Sequence, residues 1–256
     1  MLPKNFTSTL LPPPSRGLSP THETQKYTLP TPTTPNPPTN PAILTDALHI
    51  RQKVFIDEQH CSAEEEVDAD EGRSWHWVVY YSPAGCACSL TEGGVDGGVS
   101  TNGTTTRVPV ATVRLVPPPN VHHNFLPHGE GEGGDGGHGG EDEGQEPYIK
   151  LTRVAVLPEF RGYGLGRAVV EMALEWAARN AAEIDAVAAD FQSRGGEGGT
   201  RGQEKPTRWQ GLVLVHAQTQ VEKMYMRCGF VTDETMGRWH ENEIEHLGMW
   251  RRLETE

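Results

Sequence analysis

Three glycines spaced two apart, Gly162, Gly164 and Gly166, follow the run Leu151-Thr-Arg-Val-Ala-Val-Leu-Pro-Glu-Phe-Arg161 and lead straight into an amphipathic segment. A β-branched stretch thus passes through a proline turn and a glycine-rich turn into the start of a helix. Such a junction presents several unpaired backbone N–H groups and the positive end of the helix dipole to one point in space. The chemistry it suits is the binding of a phosphate or pyrophosphate.

Three glycine devices compete for this stretch. A Walker-type loop needs Lys-Ser or Lys-Thr after its last glycine, where this chain has Arg167-Ala168. A dinucleotide fingerprint needs Gly-x-Gly-x-x-Gly early in a doubly wound domain, whereas here the spacing is Gly-x-Gly-x-Gly and several strand-like runs precede it. The pattern Arg-x-x-Gly-x-Gly/Ala after a strand fits Arg161-Gly162-Tyr163-Gly164-Leu165-Gly166 at every specified position.

The elements that must position this turn are readable around it. Ile43, Leu44, Ala47, Ile50, Val54 and Phe55 recur at helical spacing and predict a helix over Pro41–Phe55. Trp75–Tyr81, Val108–Val116 and Tyr148–Val156 read as strands, rich in aromatic and β-branched residues. Leu165, Val169, Met172 and Trp176 form one helical face, Leu212–Ala217 a buried strand, and Met224–Gly229 the end of a helix. Phe230 begins a further strand, and Ile244–Arg251 supplies a last one to pair with it. A short edge strand at Gln25–Leu29 is compatible with the pattern. The sum is an α/β (α+β) fold with a mostly antiparallel central sheet of about six or seven strands flanked by helices.

Composition sets the boundaries. Residues 1–41 hold eleven prolines and little apolar periodicity, so residues 1–40 read as a disordered arm ahead of one domain at 41–253. Gly-, Pro- and polar-rich inserts fall near 82–106, 117–147 and 193–208. The net charge of −13 argues against a nucleic-acid partner, and no run approaches the ~18 apolar residues of a membrane span. Four scattered cysteines, Cys61, Cys86, Cys88 and Cys228, favour a reducing compartment and offer no zinc spacing. The histidines from His122 to His138 fix no metal geometry, so no metal is expected. A cytoplasmic location follows, with nuclear and mitochondrial ones left open.

With these residues in view, the sequence resembles the GNAT superfamily of acyl-CoA N-acyltransferases, and within it the ElaA-like branch. Besides the glycine turn, Arg51, Val54-Phe55, Glu58-Gln59, Cys61, Val67-Asp68 and Asp70 resemble the opening signature of that branch. Ala217-Gln218, Tyr225 and Gly229-Phe230 resemble its later helix, and Ile244, His246 and Gly248-Met249 its closing segment. The inserts and the proline-rich arm depart from the compact bacterial pattern and suggest a eukaryotic, fungal-type version.

The resemblance implies a single GNAT-like domain whose sheet is splayed at the acyl-CoA site, with acetyl-CoA as cosubstrate and a primary amine as acceptor. Arg161, Gly162, Tyr163, Gly164, Leu165, Gly166 and Arg167 would hold the pyrophosphate. The backbone of Val154, Ala155 and Val156 would hold the pantetheine arm and polarise the thioester. Tyr225 would protonate the leaving thiolate, since an ordinary tyrosine keeps its proton at neutral pH. Glu58, Asp68, His76 and His246 are candidates for the base, and Glu58, Glu66, Asp68 and Asp70 could draw in a cationic acceptor. A monomer or homodimer is expected. Two other readings stay open: a silent acyl-CoA sensor of the same fold, and an interaction protein working through its arm and acidic insert.

Overall fold

The computed structural model describes residues 2–14, 27–83, 107–120, 146–193 and 208–256. In chain order the elements are β1 (Phe6–Leu11), α1 (Ala42–Arg51) continued by a π-helical stretch Gln52–Glu58, β2 (Trp75–Tyr81), β3 (Val108–Val116) and β4 (Ile149–Val156). After them come α2 (Leu165–Arg179), α3 (Ala181–Ser193), β5 (Leu212–Gln218), α4 (Glu222–Arg227), β6 (Val231–Thr232), β7 (Arg238–Glu241) and β8 (Ile244–Arg252). They fall into two compact units, Met1–Leu115 with Arg153–Ala173, and Val116–Thr152 with Leu174–Glu256. The chain runs through the boundary within β4 and again within α2.

In the first unit β1 pairs antiparallel with β2, Phe6 opposite Tyr81 and Leu11 opposite His76. β2 pairs antiparallel with β3. The α1 helix lays Ala47, Ile50 and Val54 on Val78, Tyr80 and Ala155, with Ile43, Phe55 and Leu157 packed around them. A second group joins Tyr27, Leu44 and Leu48 to Leu11, Leu29 and Val67. The N-terminal segment is therefore not uniformly a disordered arm. Phe6–Leu11 pairs along β2, while Tyr27 and Leu29 close over α1. Asn40 fastens this stretch by accepting from the Thr28 amide (3.1 Å) and donating to the Thr28 carbonyl (2.7 Å). The strand considered at Gln25–Leu29 does not form over 27–29, and residues 25 and 26 lie outside those described.

In the second unit the start of β4 runs parallel to β5, with Ile149, Lys150 and Leu151 opposite Val213, Leu214 and Val215. β5 and β8 are antiparallel over their full length, and β8 also receives β6 and β7. All the other registered pairs are antiparallel, as the sequence predicts. The inserts near 82–106, 117–147 and 193–208 fall largely outside the described residues.

The α2 helix is hydrophobic on a broader face than the stripe predicts. Leu165, Ala168, Val169, Ala173 and Ala177 are buried, while Met172 and Trp176 stay part-exposed. The small alanines let α2 approach closely, so they and not the largest side chains mark its inner face.

One glycine in the second unit is required by both conformation and space. Gly211 has a φ of +89°, and a Cβ there would stand 2.2 Å from the backbone oxygen of Leu253. Backbone cannot yield as a side-chain tip can, and a left-handed non-glycine residue adds strain of about 1–2 kcal/mol. Gly211→Ala is expected to lower the denaturant midpoint markedly and to shift the Leu253 amide, which donates to the Gly211 carbonyl at 2.9 Å. An unchanged midpoint would contradict this packing.

Candidate active site

The glycine turn opens α2 as the sequence predicts. Gly162 and Gly164 have φ values of +84° and +76°, with no atom within 4 Å of an added Cβ on either. Their role is conformational: both lie in the left-handed region that favours glycine, and the space beside them is open. The Ala168 amide donates to the Gly164 carbonyl at 3.0 Å, which sets the first turn of the helix. The amides of Leu165, Gly166 and Arg167 precede that first intrahelical donor and sit at the positive end of a 15-residue helix.

The loop side chains are held away from that cradle. Arg161 forks the Glu58 carboxylate, Nη1 to Oε1 at 2.7 Å and Nη2 to Oε2 at 2.6 Å, and its Nε donates to the Val156 carbonyl at 3.2 Å. The widened π-helical turn delivers Glu58 to this position from the end of α1. Arg167 turns back to Glu171 at 2.6 Å, one helical turn on. Leu165 is buried, and Gly166 lies against Val156 at ordinary contact distance. Tyr163 is 58% exposed and leans on Phe6 of β1, which also packs on Tyr81 and Phe160.

Upstream of the turn lies a buried ion network. Arg51 donates to the Glu66 carboxylate and backbone carbonyl, and also to Glu71 at 2.8 and 3.1 Å. Arg114 reaches Glu71 at 2.7 Å and forks Asp68 at 2.7 and 2.8 Å. Arg153 donates to the Glu65 carbonyl at 2.9 Å and reaches Asp68 at 3.4 Å. Asp70 pairs with Arg73 at 2.7 Å.

Burial alone would raise the Asp68 and Glu71 carboxyls, but the neighbouring arginines overcome it. Arg114, with Arg153 and Arg51 behind it, holds Asp68 well below the usual range. Arg51 and Arg114 hold Glu71 down at about 2. His76 contacts the Glu71 carbonyl at 3.2 Å, and burial pushes it down to about 4.

Glu58, Glu66, Asp68 and Asp70, read from sequence as an acidic pocket for a cationic acceptor, each carry an arginine partner in the structure. Buried, neutral His76 is not placed to serve as an exposed base.

The network gives a pH signature. His76 has a folded pKa of about 4 against an ordinary 6.5, so the unfolded chain takes up its proton first and stability falls as pH drops from 6.5 through 4. Glu71, at about 2 against 4.5, adds a second loss as pH falls below 4.5 toward 2. Chemical denaturation across pH is expected to show both slopes. His76→Gln should flatten the upper one, and an unaltered upper slope would show that His76 does not cause it.

In the second unit Tyr225 is buried on α4, its ring T-shaped against Phe230 at 5.6 Å. Burial, aided by Cys228, pushes its phenol above the ordinary value, and among the described residues its hydroxyl forms no hydrogen bond. The phenol is held in its protonated form. His246, on β8, donates Nδ1–H to the Ile244 carbonyl at 2.8 Å, because a carbonyl can only accept. The ring stacks on Trp239 at 6.4 Å, and Trp239 also meets His216 edge-on at 4.9 Å.

Residues 129–232 match the acetyltransferase (GNAT) domain. The GNAT-matching segment includes β4, the glycine turn, α2, β5 and Tyr225. Among solved structures the chain is similar to a candidate N-acetyltransferase from Lactobacillus plantarum, with 20% identity, 84% of this chain and 93% of that one covered, and a TM-score of 0.46. It is also similar to ElaA from Escherichia coli, at 18% identity, 82% and 89% coverage and a TM-score of 0.44. An acyl-CoA N-acyltransferase from Pseudomonas aeruginosa is 23% identical, with 81% and 89% coverage and a TM-score of 0.44.

Sequence reasoning missed Arg114 and the side chain of Arg153. A signal for both was present: each is a lone arginine inside an apolar strand, Val113-Arg114-Leu115 and Thr152-Arg153-Val154. A charge in such a place has to meet an opposite one.

Proposed function

We propose that this protein is an acyl-CoA-dependent N-acyltransferase of the ElaA-like kind, moving an acetyl group from acetyl-CoA to a primary amine in a ternary complex. The observation that carries the reading is the glycine turn: two left-handed glycines open the amino end of α2 inside the GNAT-matching segment. Backbone amides from Gly162 to Arg167 would bind the pyrophosphate, the side chain of Arg161 being engaged with Glu58. The backbone of Val154, Ala155 and Val156 would hold the pantetheine arm and donate to the thioester oxygen.

The amine nitrogen then attacks the acyl carbon, the carbon–sulfur bond breaks, and the thiolate takes a proton. Tyr225 is proposed as its donor, supported by a phenol that burial keeps protonated. His246 is proposed to take the proton from the attacking amine, supported by the Nδ1 hydrogen bond to the Ile244 carbonyl that fixes its ring. We place the enzyme in the cytoplasm as a monomer or homodimer.

Calorimetric titration with acetyl-CoA tests the first step. Saturable binding in the micromolar range is expected, and no heat at millimolar ligand would overturn the proposal.

A further inference from the structure

Arg153 is the one residue within a strand of the described chain, glycine aside, that takes a positive φ, at +53°. For an arginine that conformation is strained by about 1–2 kcal/mol and persists only where its surroundings impose it. It falls at a decisive place. The registered pairing of β4 with β5 ends at Leu151, and hydrogen bonding to β3 includes the Leu157 amide donating to the Val110 carbonyl at 2.9 Å. The left-handed turn at residue 153 lies in between and sets the direction of the backbone N–H groups that follow it.

The surroundings that impose it are the acidic loop. The Arg153 guanidinium donates to the Glu65 carbonyl at 2.9 Å and lies 3.4 Å from the Asp68 carboxylate and 3.5 Å from that of Glu66. Those partners are themselves fixed: Asp68 by the Arg114 fork, Glu66 by Arg51. The chain of contacts runs from α1 and β3, through residues 65–68, to the side chain of the strained residue.

We propose that Arg153 is a positioning residue for acyl transfer: its clasp on Glu65, Glu66 and Asp68 holds the β4 turn, and with it the aim of the Val154–Val156 backbone at the thioester. This rests on the N-acyltransferase reading. The acidic loop, read from sequence as an acceptor-binding face, becomes the anchor of that turn.

Two variants separate the side-chain clasp from the backbone requirement. Arg153→Asn keeps a residue that tolerates φ > 0 but removes the clasp. Asp68→Asn weakens it from the other end. Hydrogen exchange, which needs no substrate, is expected to quicken about tenfold at residues 153–156 in both, with β2 unchanged.

Acetyl-CoA affinity by calorimetry should stay within about threefold. In thiol-release assays with spermidine, glucosamine and a lysine peptide as acceptors, kcat should fall roughly tenfold to a hundredfold, as a misplaced donor costs. Arg153→Lys should restore part of it. Unchanged exchange at 153–156, a uniform rise across the first unit, or an unchanged kcat would each overturn the proposal. A wild-type protein that turns over no amine would sink the enzymatic reading alone, since the exchange result still decides whether the clasp holds the turn.

Discussion

Arg51→Met is expected to destabilise the protein by about 3–5 kcal/mol, the cost of leaving a buried charge without its partner. Arg51 is 1% exposed and serves both Glu66 and Glu71, which are equally enclosed. The network as it stands balances Arg51, Arg114 and Arg153 against Glu66, Asp68 and Glu71. Methionine fills much of the space but leaves one carboxylate in excess in a place water does not reach.

At roughly 2–4 °C per kcal/mol for a chain of this size, the melting temperature should drop by about 10 °C or more. Removing a carboxylate as well, in Arg51→Met/Glu66→Leu, should recover part of the loss, because balance counts for more than the number of bridges. The Arg161–Glu58 fork is the contrast. It has better geometry but lies in solvent, and Glu58→Gln should cost less than about 1 kcal/mol. Equal losses for Arg51→Met and Glu58→Gln would show that burial is not the deciding factor.

The second large effect is on turnover. Tyr225→Phe removes one oxygen that has no hydrogen-bond partner among the described residues, so folding should change little while the proton donor is lost. General acid catalysis is worth about a hundredfold to ten-thousandfold. A fall in kcat of about that order is expected, with acetyl-CoA affinity within a factor of about two. The loss should be smallest for acyl donors whose thiol leaves as a stable thiolate, which needs no proton. A kcat within threefold of wild type would reduce Tyr225 to a packing residue against Phe230.

The parts of the fold legible in the sequence were those with strong periodicity. β2, β3, β5 and β8 lie where apolar and aromatic runs predict them, and α2 follows directly on its glycines. β1 escaped because proline density dominated its surroundings, although an edge strand needs only one partner and Phe6–Leu11 contains no proline. α3 escaped because Ile184 is its one buried residue, so its apolar signal is diluted by alanine and acid. β7 is four residues long and polar, and owes its place to pairing with β8 rather than to its own pattern.

The glycine turn was readable because conformation at Gly162 and Gly164 is written in residue type. The roles of Glu58 and Asp68 were not, since the run from Glu58 to Glu71 shows the acids without showing which arginine meets each. Those partners lie 103 residues away for Glu58 and 46 and 85 for Asp68.

The most direct test of acyl transfer is thiol release from acetyl-CoA by the full-length protein across a panel of lysine peptides, polyamines, amino sugars and aromatic amines. Stoichiometric release of CoA with formation of the N-acetylated amine, abolished by Tyr225→Phe, is the expected result. A folded protein that binds acetyl-CoA and releases no thiol with any acceptor would contradict it.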